Sequence, residues 1–304
     1  MNPNLKSILT ALTIAMFVVV FCARVLAPKL PPMVGKADVQ ENRAFAHANP
    51  GKLVLDNTDG WVRITTHTGE KILGKANIRA YRRGGTTEAE LASYVSSLVQ
   101  VKETPDALVV STEPVVRAAD YDLFVEYDIQ IPVGTHVSVS SNNGNVWISP
   151  GCGDVRVLGR NSDIDVAAPS GSVHIESVNG RIHLAEAPAG GTLRTVNGDV
   201  YAQVDGGNLD VETDNGVIRA QVSSASVETA NLTSQNGGVT LEMADDVSAS
   251  ITARASRGLV VSQVPIDTQN GTSQRRYIEG TVGDGRSAIK LDTLNGNILI
   301  ARSN

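Results

Sequence analysis

The residues most able to do chemistry recur at a fixed interval. Asp163 and Asp165 sit two apart, and Asp199 follows two intervals later. Carboxylates roughly 5 to 9.5 Å apart are what glycoside hydrolysis requires. Arg181 stands midway in the same series, however, and a guanidinium beside two acids holds both ionised instead of raising one to act as a proton donor. The chain has no nucleophile elbow, phosphate-binding loop, His-Glu-x-x-His motif or calcium-binding repeat. Its two cysteines, Cys22 and Cys152, support neither a disulfide framework nor a cysteine zinc site. His174 and His183 fall half a repeat apart, on what should be opposite sheets. The expectation is a protein with no enzymatic activity, metal or cofactor.

Three residues after each recurring Asn-Gly step stand Trp147, Asp165, His183, Tyr201, Arg219 and Thr240. Aromatic rings, a carboxylate, an imidazole and a guanidinium on one outward column suit stacking on sugar rings and hydrogen bonding to their hydroxyls. The expected role is docking of a glycan or a protein partner; the competing reading is solvated decoration, or a surface covered by the N-terminal segment. Two further columns, Glu176/Arg194/Glu212 and Asp163/Arg181/Asp199, alternate in sign. Exposed pairs contribute only about 0.2 to 1 kcal/mol each, so they read as register and solubility devices.

Something must hold these columns, and the repeat supplies it. Asn-Gly or its equivalent falls at Asn143-Gly144, Asn161-Ser162, Asn179-Gly180, Asn197-Gly198 and Asn215-Gly216, an 18-residue spacing four times running. It returns at Asn236-Gly237 and Asn295-Gly296, with an upstream match at Asp59-Gly60. Five residues before the glycine position the residue is aliphatic in every copy, from Leu55 and Val139 to Leu291. The positions two and four after it are aliphatic as well. This parity is that of strands with alternate side chains turned to one interior. Three before the glycine a small hydroxyl recurs: Ser141, Ser177, Thr195, Thr213, Ser234 and Thr293.

Units this short cannot bury a face alone and become stable when stacked, about 4.8 Å apart. The fold class expected is therefore all-β, a parallel β-helix or solenoid. Asn-Gly is expected to turn the chain through positive φ, and the Asn column (Asn143, Asn161, Asn179, Asn197, Asn215) to form a ladder of stacked turn amides. Over residues 51–132 the pattern is irregular: Leu53 to Ile64 reads as a repeat-like hairpin, and Ala107 to Thr112 and Leu123 to Ile131 as strands. Thr87 and Glu90 form a capping box opening a helix over 87–101, with Leu91, Val95 and Leu98 on one face; it is expected to cap the open end of the coil. Regular coils are expected over 133–304, broken by a loop or hairpin at 265–286.

The composition agrees with a narrow interior. Only 4% of the 304 residues are aromatic, and the net charge is −6. That charge argues against nucleic acid, which calls for a basic surface. Residues 1–27 carry Lys6 and Arg24 and no acid, so the remainder is more acidic still. Lys6 precedes an apolar run over residues 8–23, which reads as a signal peptide or a membrane anchor. Pro28 and Arg24 disfavour cleavage after Ala27 and favour a retained anchor, while Phe21 before Cys22 disfavours lipid attachment. Residues 28–50 lack apolar periodicity and are expected to be a tether.

Several segments together resemble a known family. YDLFVEYDIQIPVGTHVSV (Tyr121 to Val139), the repeated SVNGRI and TVNGDV, and the terminal IKLDTLNGNILI are similar to the adhesin domain of bacterial envelope proteins, the DUF4097 β-strand-repeat family. The resemblance covers about 51–304 and implies a single-stranded β-helix in an exported or membrane-anchored bacterial protein. It implies no catalytic motif. Two classes of function follow: recognition of a glycan or protein at the cell envelope, or a scaffold that assembles with itself or a membrane partner.

Overall fold

The computed structural model describes residues 38–82, 87–112 and 121–303. The expected signal or anchor over 1–27, including the apolar run 8–23, lies outside the described residues. Among the described residues no helix is long and apolar enough to cross a membrane.

The chain is an all-β solenoid. Its strands form two sheets, of 12 and 13 strands among the described residues, and each coil contributes one strand to each sheet. Along the regular coils all neighbours are parallel and in register at the repeat: Val157 pairs with Val139 and Ile175, and Ile182 with Ile164 and Val200. The aliphatic positions read from the repeat are buried, from Leu55, Val62 and Ile64 through Leu291, Ile298 and Ile300. Two layers of Val, Ile and Leu fill the narrow gap between the sheets. Tyr127 is the one aromatic side chain buried in that core among the described residues. Its hydroxyl meets Thr112 Oγ1 at 2.8 Å, which in turn donates to Asn57 Oδ1 at 3.2 Å, and burial pushes the phenol up to about 12.

At each corner the Asn side chain donates through Nδ2 to the Oδ1 one coil earlier. The chain of amides runs Asn161 to Asn143, Asn179 to Asn161, Asn197 to Asn179 and Asn215 to Asn197, at 2.7 to 2.9 Å. It continues through Asn236 and Asn295. Below, Asn143 donates to Asp59 at 2.6 Å, and above, Arg257 donates to Asn295 at 3.3 Å. An acceptor-only carboxylate and a donor-only guanidinium thus end the ladder and give every amide one direction. The inward hydroxyls form a second line behind it: Thr195 donates to Gly180 O, Thr213 to Gly198 O and Thr293 to Gly237 O. In the coil at Asn161 the two positions are exchanged. Gly159 takes the hydroxyl's place and buried Ser162 takes the glycine's, its Oγ reaching Ser141.

The corner glycines are needed for a second reason beside the one expected. Gly60, Gly144 and Gly180 have positive φ, but Gly198, Gly216, Gly237 and Gly296 do not. What these corners share is close approach: a Cβ on Gly198 would overlap the Gly180 carbonyl oxygen, and one on Gly216 that of Gly198. The turn is also an arch between sheets, not a hairpin. Lys52–Asp59 and Val62–His67, expected to pair as a hairpin, lie in different sheets and hydrogen-bond to other coils.

Both ends of the solenoid are built out of chain order. The coil of Lys52–Asp59 and Val62–His67 is stacked between the first regular coil and a later segment, Leu108–Thr112 with Tyr121–Pro132. At the far end the final strands, Ser287–Asn295 and Ile298–Arg302, slot beneath Ala249–Ala255 and Val260–Ser262. That outer coil carries Arg257-Gly258 in the place of Asn-Gly, a degenerate repeat. The break expected at 265–286 is a hairpin, Asp267–Gln274 with Tyr277–Val282, which extends the sheet antiparallel to Ala249–Ala255.

Two expected boundaries move. The tether over 28–50 is cut short, because Val39–Ala48 pairs antiparallel with Lys71–Arg82. Its inner side chains are Val39, Glu41, Arg43, Phe45 and His47, three of the five polar, so only a weak apolar period marks the strand. Arg43 reaches the helix end, donating to Val99 O at 2.5 Å and to Ser96 O. That helix spans Glu88–Leu98 behind its Thr87 capping box, with Leu91, Val95 and Leu98 buried. It stops short of 101 because Val99–Glu103, with two β-branched residues, pairs with Leu108–Thr112 instead.

Gly198→Ala should lower stability by roughly 1 to 3 kcal/mol through overpacking and more than Asn197→Ala, as read from thermal unfolding. Truncation after Arg286 should lower the melting temperature far more than loss of an end coil does in an ordinary solenoid, because it opens a gap inside the stack; thermal unfolding of the truncated chain measures this.

Candidate functional site

The outward column lies on the 12-stranded sheet. Strand register stacks Trp147 on Asp165, Asp165 on His183, His183 on Tyr201, Tyr201 on Arg219 and Arg219 on Thr240. Each inner neighbour is a core aliphatic, so the alternation of the strand forces these side chains outward. His183 Nδ1 lies 3.1 Å from Asp165 Oδ1, with the two side chains 19% and 22% exposed. Their neighbours shield the pair.

The column extends further than the sequence suggested. Arg63 stacks below Trp147 and is ion-paired with Asp128. Trp61 meets Trp147 edge to face, ring centres 6.4 Å apart, and the Arg63 guanidinium lies 5.5 Å from the Trp61 ring centre. Applying the same three-residue offset to Asp59-Gly60 would have reached Arg63, and Trp61 directly follows that glycine. Beside Trp147 and Asp165 the next outward position holds Ser149 and Ala167, both small and half-buried, while Ala185 beside His183 is buried.

The sign-alternating columns are only partly joined. Arg181 pairs with Asp163 at 2.9 Å, and the Asp163 carboxylate also accepts the Arg181 amide at 2.8 Å. Asp199 accepts the Val217 amide at 2.8 Å. Arg194 pairs with Glu212 and Asp210, while Glu176 takes His174 at 2.7 Å. The carboxylates considered for glycoside hydrolysis are thus all engaged as acceptors: Asp163 with Arg181, Asp165 with His183, Asp199 with a backbone amide. Glu126, a buried acid the sequence did not single out, is held by Arg79 and by Asn77 at 2.9 Å. Among the described residues no three of His, Cys, Asp and Glu converge as a metal site.

The opposite sheet carries a shallow groove floored by Leu158, Val178 and Val196 and edged by Glu176, Arg194, Glu212 and Asp214. The valines precede the Asn of their Asn-Gly steps and are 43% and 40% exposed. An outward Val repeated at one offset was the available signal.

The profile of the Toastrack DUF4097 family matches residues 48–301. This chain belongs to that family. Among curated proteins none matches the DUF4097 chain in sequence. Crystal structures similar to it include a candidate adhesin from Bacteroides fragilis, with 11% identity and a TM-score of 0.48 over 87% of this chain and 97% of that one. A candidate cell adhesion protein from Clostridium sporogenes has 11% identity and a TM-score of 0.24, covering 86% and 100%. A candidate adhesin from Parabacteroides merdae has 8% identity and a TM-score of 0.28, covering 87% and 96%.

Burial pushes the Cys152 thiol up to about 11, so thiolate is scarce at neutral pH. In a Cys22→Ser variant, Cys152 should therefore resist a thiol reagent at pH 8 in the folded protein and react promptly in denaturant, followed by absorbance of the released chromophore.

Proposed function

We propose that this DUF4097 protein is a non-enzymatic recognition module of the bacterial cell envelope. Residues 8–23 would hold it to the membrane, and the outer strip would dock a glycan or an envelope protein. The observation that carries this reading is the unbroken column from Arg63 through Trp147, Asp165, His183 and Tyr201 to Arg219. In a chain with 4% aromatic residues, Trp61, Trp147 and Tyr201 stand on this face instead of in the core. Planar faces with hydrogen-bonding groups between them fit a ligand that offers both apolar ring faces and hydroxyls. Along the strip Arg63 and Arg219 balance Asp128 and Asp165 in formal charge, which suits binding by contact over long-range attraction.

A second reading, an envelope scaffold that assembles with copies of itself, draws on the aliphatic groove of the opposite sheet. One experiment separates the two. The protein is incubated with immobilised cell-wall and extracellular polysaccharides and with envelope protein fractions, and its sedimentation is followed against concentration. Recognition predicts saturable retention that falls at least tenfold in Trp147→Ala/Tyr201→Ala, with no release of reducing ends. Retention indifferent to those substitutions, with concentration-dependent sedimentation lost in Val178→Ser/Val196→Ser, would favour the scaffold.

A further inference from the structure

We infer that Asn295 is a site of spontaneous modification, where the side-chain amide is lost as ammonia and the corner residue becomes an aspartyl or isoaspartyl group. This chemistry is independent of what the outer strip binds. An Asn followed by Gly is the step most prone to it, because a neighbour without a side chain leaves the next backbone nitrogen free to approach the Asn side chain. The Gly nitrogen gives its proton to hydroxide and attacks Cγ, negative charge collects on Oδ1, and Nδ2 takes a proton and departs as ammonia. Water then opens the resulting five-membered imide at either carbonyl.

Six Asn-Gly steps lie on the corner ladder, at Asn143, Asn179, Asn197, Asn215, Asn236 and Asn295. In five of them the attacking nitrogen is occupied. Gly144, Gly180, Gly198, Gly216 and Gly237 each donate their N–H to the backbone carbonyl of the next corner Asn, at 3.0 to 3.2 Å. The side-chain oxygens of the same five accept only from the neutral amide of the next Asn. Cyclisation at these steps gives up the N–H bond and the ladder bonds on both sides.

Asn295 differs in both respects. Among the described residues the Gly296 N–H has no backbone acceptor, because the next corner is Arg257-Gly258 and the Arg257 amide turns back to Leu294 O at 2.9 Å. Asn295 Oδ1 accepts from the Arg257 guanidinium, at 3.3 Å, and not from another amide. A fixed cationic donor on the atom where negative charge develops is what lowers the barrier to acyl transfer. Asn295 and Gly296 are also half-buried, so water reaches the imide.

The product is felt at the keystone of the fold. A carboxylate at this position accepts but cannot donate, so the bond to Asn236 Oδ1 is lost and two oxygens face one another. An isoaspartyl link adds a methylene to the backbone between Ser287–Asn295 and Ile298–Arg302, the coil held beneath the outermost strands.

Full-length protein is aged at mildly alkaline pH, in native buffer and in denaturant, and each ladder step is scored by peptide mass mapping with enzymatic labelling of isoaspartate. In the native protein Asn295 should convert about tenfold faster than the other five, whereas in denaturant all six should convert at similar rates. Arg257→Ala should slow native conversion at Asn295 by about tenfold, and Arg257→Lys, which keeps a cationic donor, should slow it less. The direction separates chemistry from loosening, since a substitution that merely freed the corner would speed the reaction. No conversion at Asn295, conversion spread evenly over the native ladder, a lead for Asn295 already present in denaturant, or a rate unchanged or raised in Arg257→Ala would each overturn the assignment.

Discussion

Everything outward on this protein depends on how closely the corners of successive coils approach. At Gly198, Gly216, Gly237 and Gly296 the backbone of one coil lies so near the carbonyl of its neighbour that a methyl group has no room. That contact fixes the rise per coil. The amide chain then fixes the lateral register, because each Asn has one donor and one acceptor on the axis and slipping by a residue would break the series. Asp59 and Arg257 close it chemically, one able only to accept and the other only to donate. The interior needs no shape-specific jigsaw as a result. Val, Ile and Leu exchange freely between coils, and Gly159 and Ser162 exchange roles within one.

Much of this was legible in the sequence because the constraint acts on every coil. A corner that must be Asn-Gly, with aliphatics at fixed offsets, prints the same pattern again and again, so the solenoid and its coil positions could be read from eight copies. The φ argument for the glycines was incomplete, since a sequence records that glycine is needed and not whether torsion or crowding needs it. The ends were harder. Val39–Ala48 turns Arg43 and His47 toward partners far along the chain and carries only Val39 and Phe45 as large apolar side chains on that face, so its strand character has little apolar signature. Arg257-Gly258 hides the outermost coil because Arg257 supplies the donor that an Asn supplies in the other coils. Stacking order at both ends is set by tertiary pairing that no local pattern encodes.

The candidate surface was legible in the same measure. A column at a constant offset from each corner follows from periodicity alone, which is how Trp147, Asp165, His183, Tyr201 and Arg219 came to be grouped. Their pairings do not follow from it. Asp165 bonds to His183, but Asp199 bonds to a backbone amide and Glu176 to its own strand neighbour His174, because side-chain rotamers choose among several partners within reach.

The out-of-order stacking at the far end bears on how the chain acquires its fold. A ribosome delivers residues from the N-terminus onward, and a simple solenoid can lay down each coil on the one before. Here Ala249–Ala255 and Val260–Ser262 emerge before the strands that separate them from the rest, so they have no proper layer to rest on until Ser287–Arg302 arrives. Ser287–Arg302 is therefore a keystone. A nascent chain stopped anywhere short of that segment presents open strand edges, and closure of this end of the solenoid waits on its delivery.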